Sequence, residues 1–132
     1  MSGFDLILKD TFSLTQIREG LAAACGVPKD CVVAIDGYPE DILPPDTQII
    51  SMRTDAGGDF QTHLSIELLT LDSCESSTLI AMRLSEIISS DCLLPDIGGN
   101  PYSMNLISPG VPMRNVLLRA DDLDNGEYRL IE

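Results

Sequence analysis

Tryptophan is absent, histidine occurs once, and lysine and arginine together number only 8 in 132 residues. Each shortage excludes a kind of chemistry. A carbohydrate cleft wants aromatic platforms for sugar rings, and 3 tyrosines with 3 phenylalanines supply few. Hydrolytic zinc sites recruit several histidines, or histidine with carboxylates, so His63 alone does not make one. A nucleophilic triad needs a serine beside the imidazole and a carboxylate behind it, and nothing in the spacing around His63 suggests that set. The scarcity of positive charge argues against direct binding of nucleic acid or of anionic membranes, which would be repelled by an acidic surface. No apolar run reaches the length needed to cross a bilayer. The first ten residues carry Asp5 and lack the basic region and apolar stretch of a secretory leader, so a cytoplasmic protein is expected. Cys25, Cys31, Cys74 and Cys92 form no C-x-x-C pair and lie in or beside apolar segments. Free thiols in a reducing compartment follow, with no metal and no cofactor expected.

Acid is what the chain has in plenty: 21 Asp and Glu give a formal net charge of -13. The surplus is unevenly placed. From Asp30 to Met82 the only base is Arg53, and a second group gathers Asp121, Asp122, Asp124 and Glu127 near the C-terminus. Dispersed solubilising charge needs no such asymmetry, whereas a basic protein partner would be steered and selected by it. With 44% apolar and 22% charged residues, a chain of this length is expected to bury a core as one acidic domain, residues 1–132.

Periodicity gives the elements. Phe4 to Leu8 reads as a strand, and Ser13 with Gln16 makes a capping box opening a helix with Leu14, Ile17, Leu21 and Ala24 on one stripe. Gly26 and Pro28 end it. Cys31 to Ile35 is a compact β-branched run, expected to be a strand buried on both faces. Gln48 to Thr54 and Phe60 to Leu69 form a hairpin through Asp55-Ala56-Gly57-Gly58-Asp59, with Phe60, Thr62, Leu64, Ile66 and Leu68 on the buried face and Gln61, His63, Ser65 and Glu67 on the wet one. Asp72 with Glu75 suggests a second capping box before a helix whose stripe is Ile80, Leu84, Ile87 and Ile88. Leu94 to Pro101 reads as loop, followed by a hairpin of Tyr102 to Ile107 and Met113 to Arg119, a turn at Asp124-Asn125-Gly126, and a last strand from Glu127 to Ile131. The order β-α-β-β-β-α-β-β-β predicts an α+β fold: a two-layer domain with a mostly antiparallel sheet and two main helices on one face. The other face, or a sheet edge, is then available to a partner.

The segment from Asp36 to Asp46, DGYPEDILPPD, excludes regular structure and predicts a loop held out from the core. It sets Tyr38, Ile42 and Leu43 among acids, the composition of an interface anchor within a charged rim. Asp36, Glu40, Asp41 and Asp46 are therefore the candidate contacting charges and Tyr38 the anchor. Asp59 and the cluster of Asp121, Asp122 and Asp124 are second choices. The stretch from Asp121 to Glu132 superficially has calcium-loop spacing, but Leu123 stands at the third ligand position and no flanking helices are evident. Gly98-Gly99-Asn100 is too short to cradle a phosphate.

Two stretches, Asn100-Pro101-Tyr102 through Ser108-Pro109-Gly110 and Asp121-Asp122-Leu123-Asp124 to Tyr128, look like the closing hairpins of some immunity proteins. In size and acidity the chain as a whole resembles the immunity proteins of bacterial polymorphic toxin systems, including those of contact-dependent growth inhibition. The resemblance implies a non-catalytic protein that neutralises a cognate toxin, often a basic nuclease, by covering its active site with carboxylates in place of substrate phosphates. In size, acidity and mixed strand and helix order the chain also resembles the small acidic chaperones of type III secretion, which dimerise and hold an effector segment. A small carboxylate-dependent enzyme is the third reading.

Overall fold

The computed structural model describes residues 2–37, 43–69, 77–96 and 100–131. Its first strand, β1 (Ser2–Leu8), leads into α1 (Leu14–Cys25) and a 3-10 turn (Lys29–Cys31). The strands β2 (Val32–Asp36), β3 (Ile49–Asp55), β4 (Gly57–Gly58) and β5 (Thr62–Leu68) follow, then α2 (Ser77–Ile88). β6 (Cys92–Pro95), β7 (Ser103–Ser108), β8 (Val111–Leu117), the one-turn helix α3 (Ala120–Leu123) and β9 (Glu127–Tyr128) complete the chain. Seven strands form one sheet in the order β2-β3-β5-β1-β6-β7-β8, parallel only between β2 and β3, while β4 and β9 pair separately. The expected α+β architecture with a mostly antiparallel sheet is what forms.

The α1 termini are built as the sequence dictates. Ser13 and Gln16 complete the capping box, and Gly26 closes the helix in the left-handed region at φ 68°. Ile17, Leu21 and Ala24 face the sheet, and α2 lies alongside with Ile80, Ala81 and Leu84 inward. Gly20 sets the approach of the two helices, because a Cβ there would sit 2.9 Å from Leu84 Cδ1. Beneath them Leu6 and Leu8 of β1, Leu64, Ile66 and Leu68 of β5, and Ile49 of β3 form the helix-side core.

A second core lies on the opposite face of the sheet. Ile7 and Leu93 point away from the helices and pack with Phe60, Met104, Leu106 and Leu118. Its cover is the C-terminal segment, which contributes Leu123, Tyr128 and Leu130. This face is therefore partly occupied rather than wholly free.

Several sequence expectations are corrected. Phe60 does not continue the helix-facing row of β5 but joins the second core, because the chain turns just before Thr62. β2 is not buried on both faces: it is an edge strand, its middle residues only half-buried, since burial depends on strand order, which an apolar run does not encode. Leu94 and Pro95 belong to a strand, not a loop, and β6 sits between β1 and β7 in the sheet. Four residues ending in proline are too short to show alternation. Asp121 to Leu123 is helical, and the last strand is two residues long and pairs with Gly57–Gly58 instead of extending the main sheet. The second capping box, Asp72 and Glu75, lies outside the described residues.

Ser51 is fully buried on the helix side of β3 and its hydroxyl has no hydrogen-bond partner among the described residues. An unsatisfied buried hydroxyl is a net cost. Ser51→Ala is therefore expected to stabilise the fold by about 1 kcal/mol, read as a higher urea midpoint at unchanged slope; a lower midpoint would mean that the hydroxyl has a partner.

Candidate functional site

The acidic loop is placed by its two ends. β2 and β3 run parallel, so the chain leaves at Asp36, opposite Arg53, and must return to the start of β3 beyond Asp46. Asp36 and Asp46 consequently stand at opposite ends of the strand pair, about 13 Å or more apart along it. Arg53 grips Asp36 through both carboxylate oxygens, Nε to Oδ1 at 2.6 Å and Nη2 to Oδ2 at 2.9 Å. Its Nη1 also donates to the Phe12 carbonyl at 2.6 Å, tying the sheet edge to the connection between β1 and α1. These hydrogen bonds hold the Asp36 carboxyl below the usual carboxylate range. Asp36 thus has an internal partner, whereas Asp46 is exposed and has no ion pair among the described residues. Tyr38, Glu40 and Asp41 lie outside the described residues.

The second-choice acids, far apart in sequence, are brought together. Pairing of β4 with β9 sets Gly57 beside Glu127 and Gly58 beside Tyr128. The acid-flanked turn of Asp55 and Asp59 thereby meets the segment carrying Asp121, Asp122, Asp124 and Glu127. Asp59 is partly structural, since its Oδ2 accepts from the Leu130 amide at 3.2 Å. Arg129 answers Glu127 at 3.1 Å and Asp122 at 3.9 Å. Asp55, Asp121 and Asp124 are exposed and have no ion pair among the described residues. At the border of this surface the Ile131 amide donates to the Leu117 carbonyl, and both side chains are exposed, at 54% and 46%.

One feature escaped sequence reading. Register places Asp5 opposite Ser65 and Ile7 opposite His63, which brings the Asp5 carboxylate to the imidazole: His63 Nε2 donates to Oδ1 at 3.2 Å. The pair occupies the face of the sheet away from the helices. Two clefts, of about 190 and 210 Å³, share Asp5 and His63 as lining residues. Tyr128 enters the first; burial pushes its hydroxyl pKa up, and the negative Asp5 adds to the shift. The alternation of β5 already set His63 on the wet face, but only the pairing of β1 with β5 identifies its neighbour.

Cys92 is buried beneath α2, and burial pushes its thiol up to about 12, leaving it inert at neutral pH. Cys25 and Cys31 are half-buried. Among the described residues no group of three His, Cys, Asp or Glu side chains converges to hold a metal ion. No helix among them is long and apolar enough to cross a membrane. Comparison with protein-family models, with curated proteins and with solved structures finds no match to this chain.

Proposed function

We propose that this chain is a non-catalytic binding protein that neutralises a basic partner, in the manner of an immunity protein covering the active site of its cognate toxin in the cytoplasm. The observation that carries this reading is the β4 and β9 pairing, which brings the turn of Asp55 and Asp59 to the segment of Asp121, Asp122, Asp124 and Glu127, where Arg129 pairs with Glu127 and Asp122. A negative surface of this kind complements the positive phosphate-binding groove of a nuclease. Leu117 and Ile131 supply the apolar contact that fixes the docked pose.

The test begins with the reading frame immediately upstream, whose C-terminal domain is expected to be the partner. Its toxicity should be abolished by co-expression of this chain. The combined variant Asp55→Asn, Asp121→Asn, Asp124→Asn should bind that domain about ten- to hundredfold more weakly, since each exposed pair contributes up to about 1 kcal/mol. Affinity of the unaltered protein should fall as salt is raised. Equal affinity of variant and parent, with no salt dependence, would remove this surface from the interface.

The chaperone reading has one observation in its favour. β8 is an edge strand of the sheet with Val111 and Met113 exposed, and Met82 and Ile87 of α2 are exposed on the helix layer. Met82 and Met113 line one small hollow. A stable dimer in sedimentation, capturing an extended peptide rather than a folded domain, would favour it.

A further inference from the structure

The Asp5 and His63 pair is not needed by the reading above, and it has the makings of a separate site. His63 hydrogen-bonds only one carboxylate oxygen; Oδ2 of Asp5 receives no hydrogen bond from any described residue. The carboxylate is half exposed, and no lysine or arginine lines either cleft beside it. A fixed, outward-facing acceptor with a negative charge is left at the point the two clefts share. Their walls differ. One is apolar, with Ile7, Met104, Leu118 and Leu123 and the side of Tyr128; the other offers the hydroxyls of Thr54 and Ser65 beside Met52. Neither cleft reaches the ~300 Å³ at which ordinary small-molecule pockets begin, so the ligand that fits is small and only partly enclosed.

We infer that this face binds a small organic amine: an ammonium group seated on Asp5 Oδ2, with an apolar stem in the cleft walled by Ile7, Met104 and Leu118. The chemistry selects the charge. An ammonium gains a charge-assisted hydrogen bond to the carboxylate, with Thr54 and Ser65 as further acceptors. Anions are repelled by Asp5 and by the net charge of -13. The stem is selected by the apolar wall, and the rigid sheet under β1 and β5 presents the site preformed.

The experiment uses the whole chain and three probes of one shape: phenethylammonium, 2-phenylethanol and phenylacetate, titrated while backbone amide spectra are recorded. Phenethylammonium should give saturable shifts at Ile7, His63, Ser65 and Tyr128, with the alcohol at least about tenfold weaker, the factor for losing a charge-assisted hydrogen bond. Phenylacetate should not bind. Asp5→Asn should weaken the ammonium about tenfold and leave the alcohol unchanged. A second variant, Ser65→Lys, places an ammonium of the protein's own beside Asp5 and should abolish binding of the probe with the fold intact. The site is overturned if the unaltered protein binds none of the probes, if the three bind alike, if Asp5→Asn binds the ammonium undiminished, or if the shifts map elsewhere.

Discussion

Gly58→Ala is expected to release the C-terminal segment from the sheet. Gly58 has φ 83°, and a Cβ built there would stand 2.8 Å from the Tyr128 carbonyl oxygen and 2.9 Å from the Tyr128 carbonyl carbon. The obstacle is backbone, so β9 must back away. A left-handed alanine costs roughly 1–2 kcal/mol in itself, and losing the short β4 and β9 ladder adds to it. The total should approach 3 kcal/mol, read as a fall in Tm of roughly 10 °C. Gly57→Ala is the control. Its nearest neighbour would be Glu127 Cγ at 3.3 Å, the movable part of an exposed side chain, and its cost should stay below about 1 kcal/mol. The contrast also bears on function: if the acids on residues 121–127 form the proposed interface, Gly58→Ala should weaken partner binding although no charge has changed. Equal thermal stability of the two variants would show that β9 is not held by the turn at Gly58.

How much of this was legible in the residues depends on the range of the interaction concerned. Several local signals were readable, although the strand at Leu94 and Pro95, the helical turn at Asp121 to Leu123 and the break of the β5 alternation at Phe60 were not. The capping box of Ser13 and Gln16, the αL stop at Gly26, and the alternation of β5 from Thr62 to Leu68 are encoded within a few positions, and each element forms where its pattern says. What could not be read is partner choice between distant strands. Nothing in Cys31 to Ile35 distinguishes a central strand from an edge one, and nothing near Gly57 announces that it will pair with Glu127. The candidate site divides along the same line. Charge composition pointed to Asp59 and to Asp121, Asp122 and Asp124, but their convergence is a product of the fold. Asp5 passed unnoticed because its meaning depends on β1 pairing with β5 in one register; a slip of one residue would turn its carboxylate toward the helices.

Leu118→Ala is expected to cost more than any change on the surface. Leu118 is 1% exposed, at the centre of the second core among Ile7, Phe60, Leu93, Met104 and Leu106. It also forms a bridge with Leu130, while its amide donates to the Tyr102 carbonyl at 2.8 Å. Truncation removes the packing and leaves a void that rigid strands on one side cannot close, so the loss should be about 3–4 kcal/mol, in the middle of the range for buried leucines. Leu84→Ala, equally buried on the helix side, should cost a similar amount, and the two differ in what else moves. The void at Leu118 opens into the cleft beside Asp5 and His63, so the His63 ring resonances should shift in that variant and hold still in Leu84→Ala. Chemical denaturation with histidine ring spectra on both proteins separates the cases. Loss of stability in Leu118→Ala without change at His63 would mean that the second core and the cleft are independent. Coupled changes would make the C-terminal segment the element on which the packing of this face, the gathered acids and the Asp5 cleft all rest.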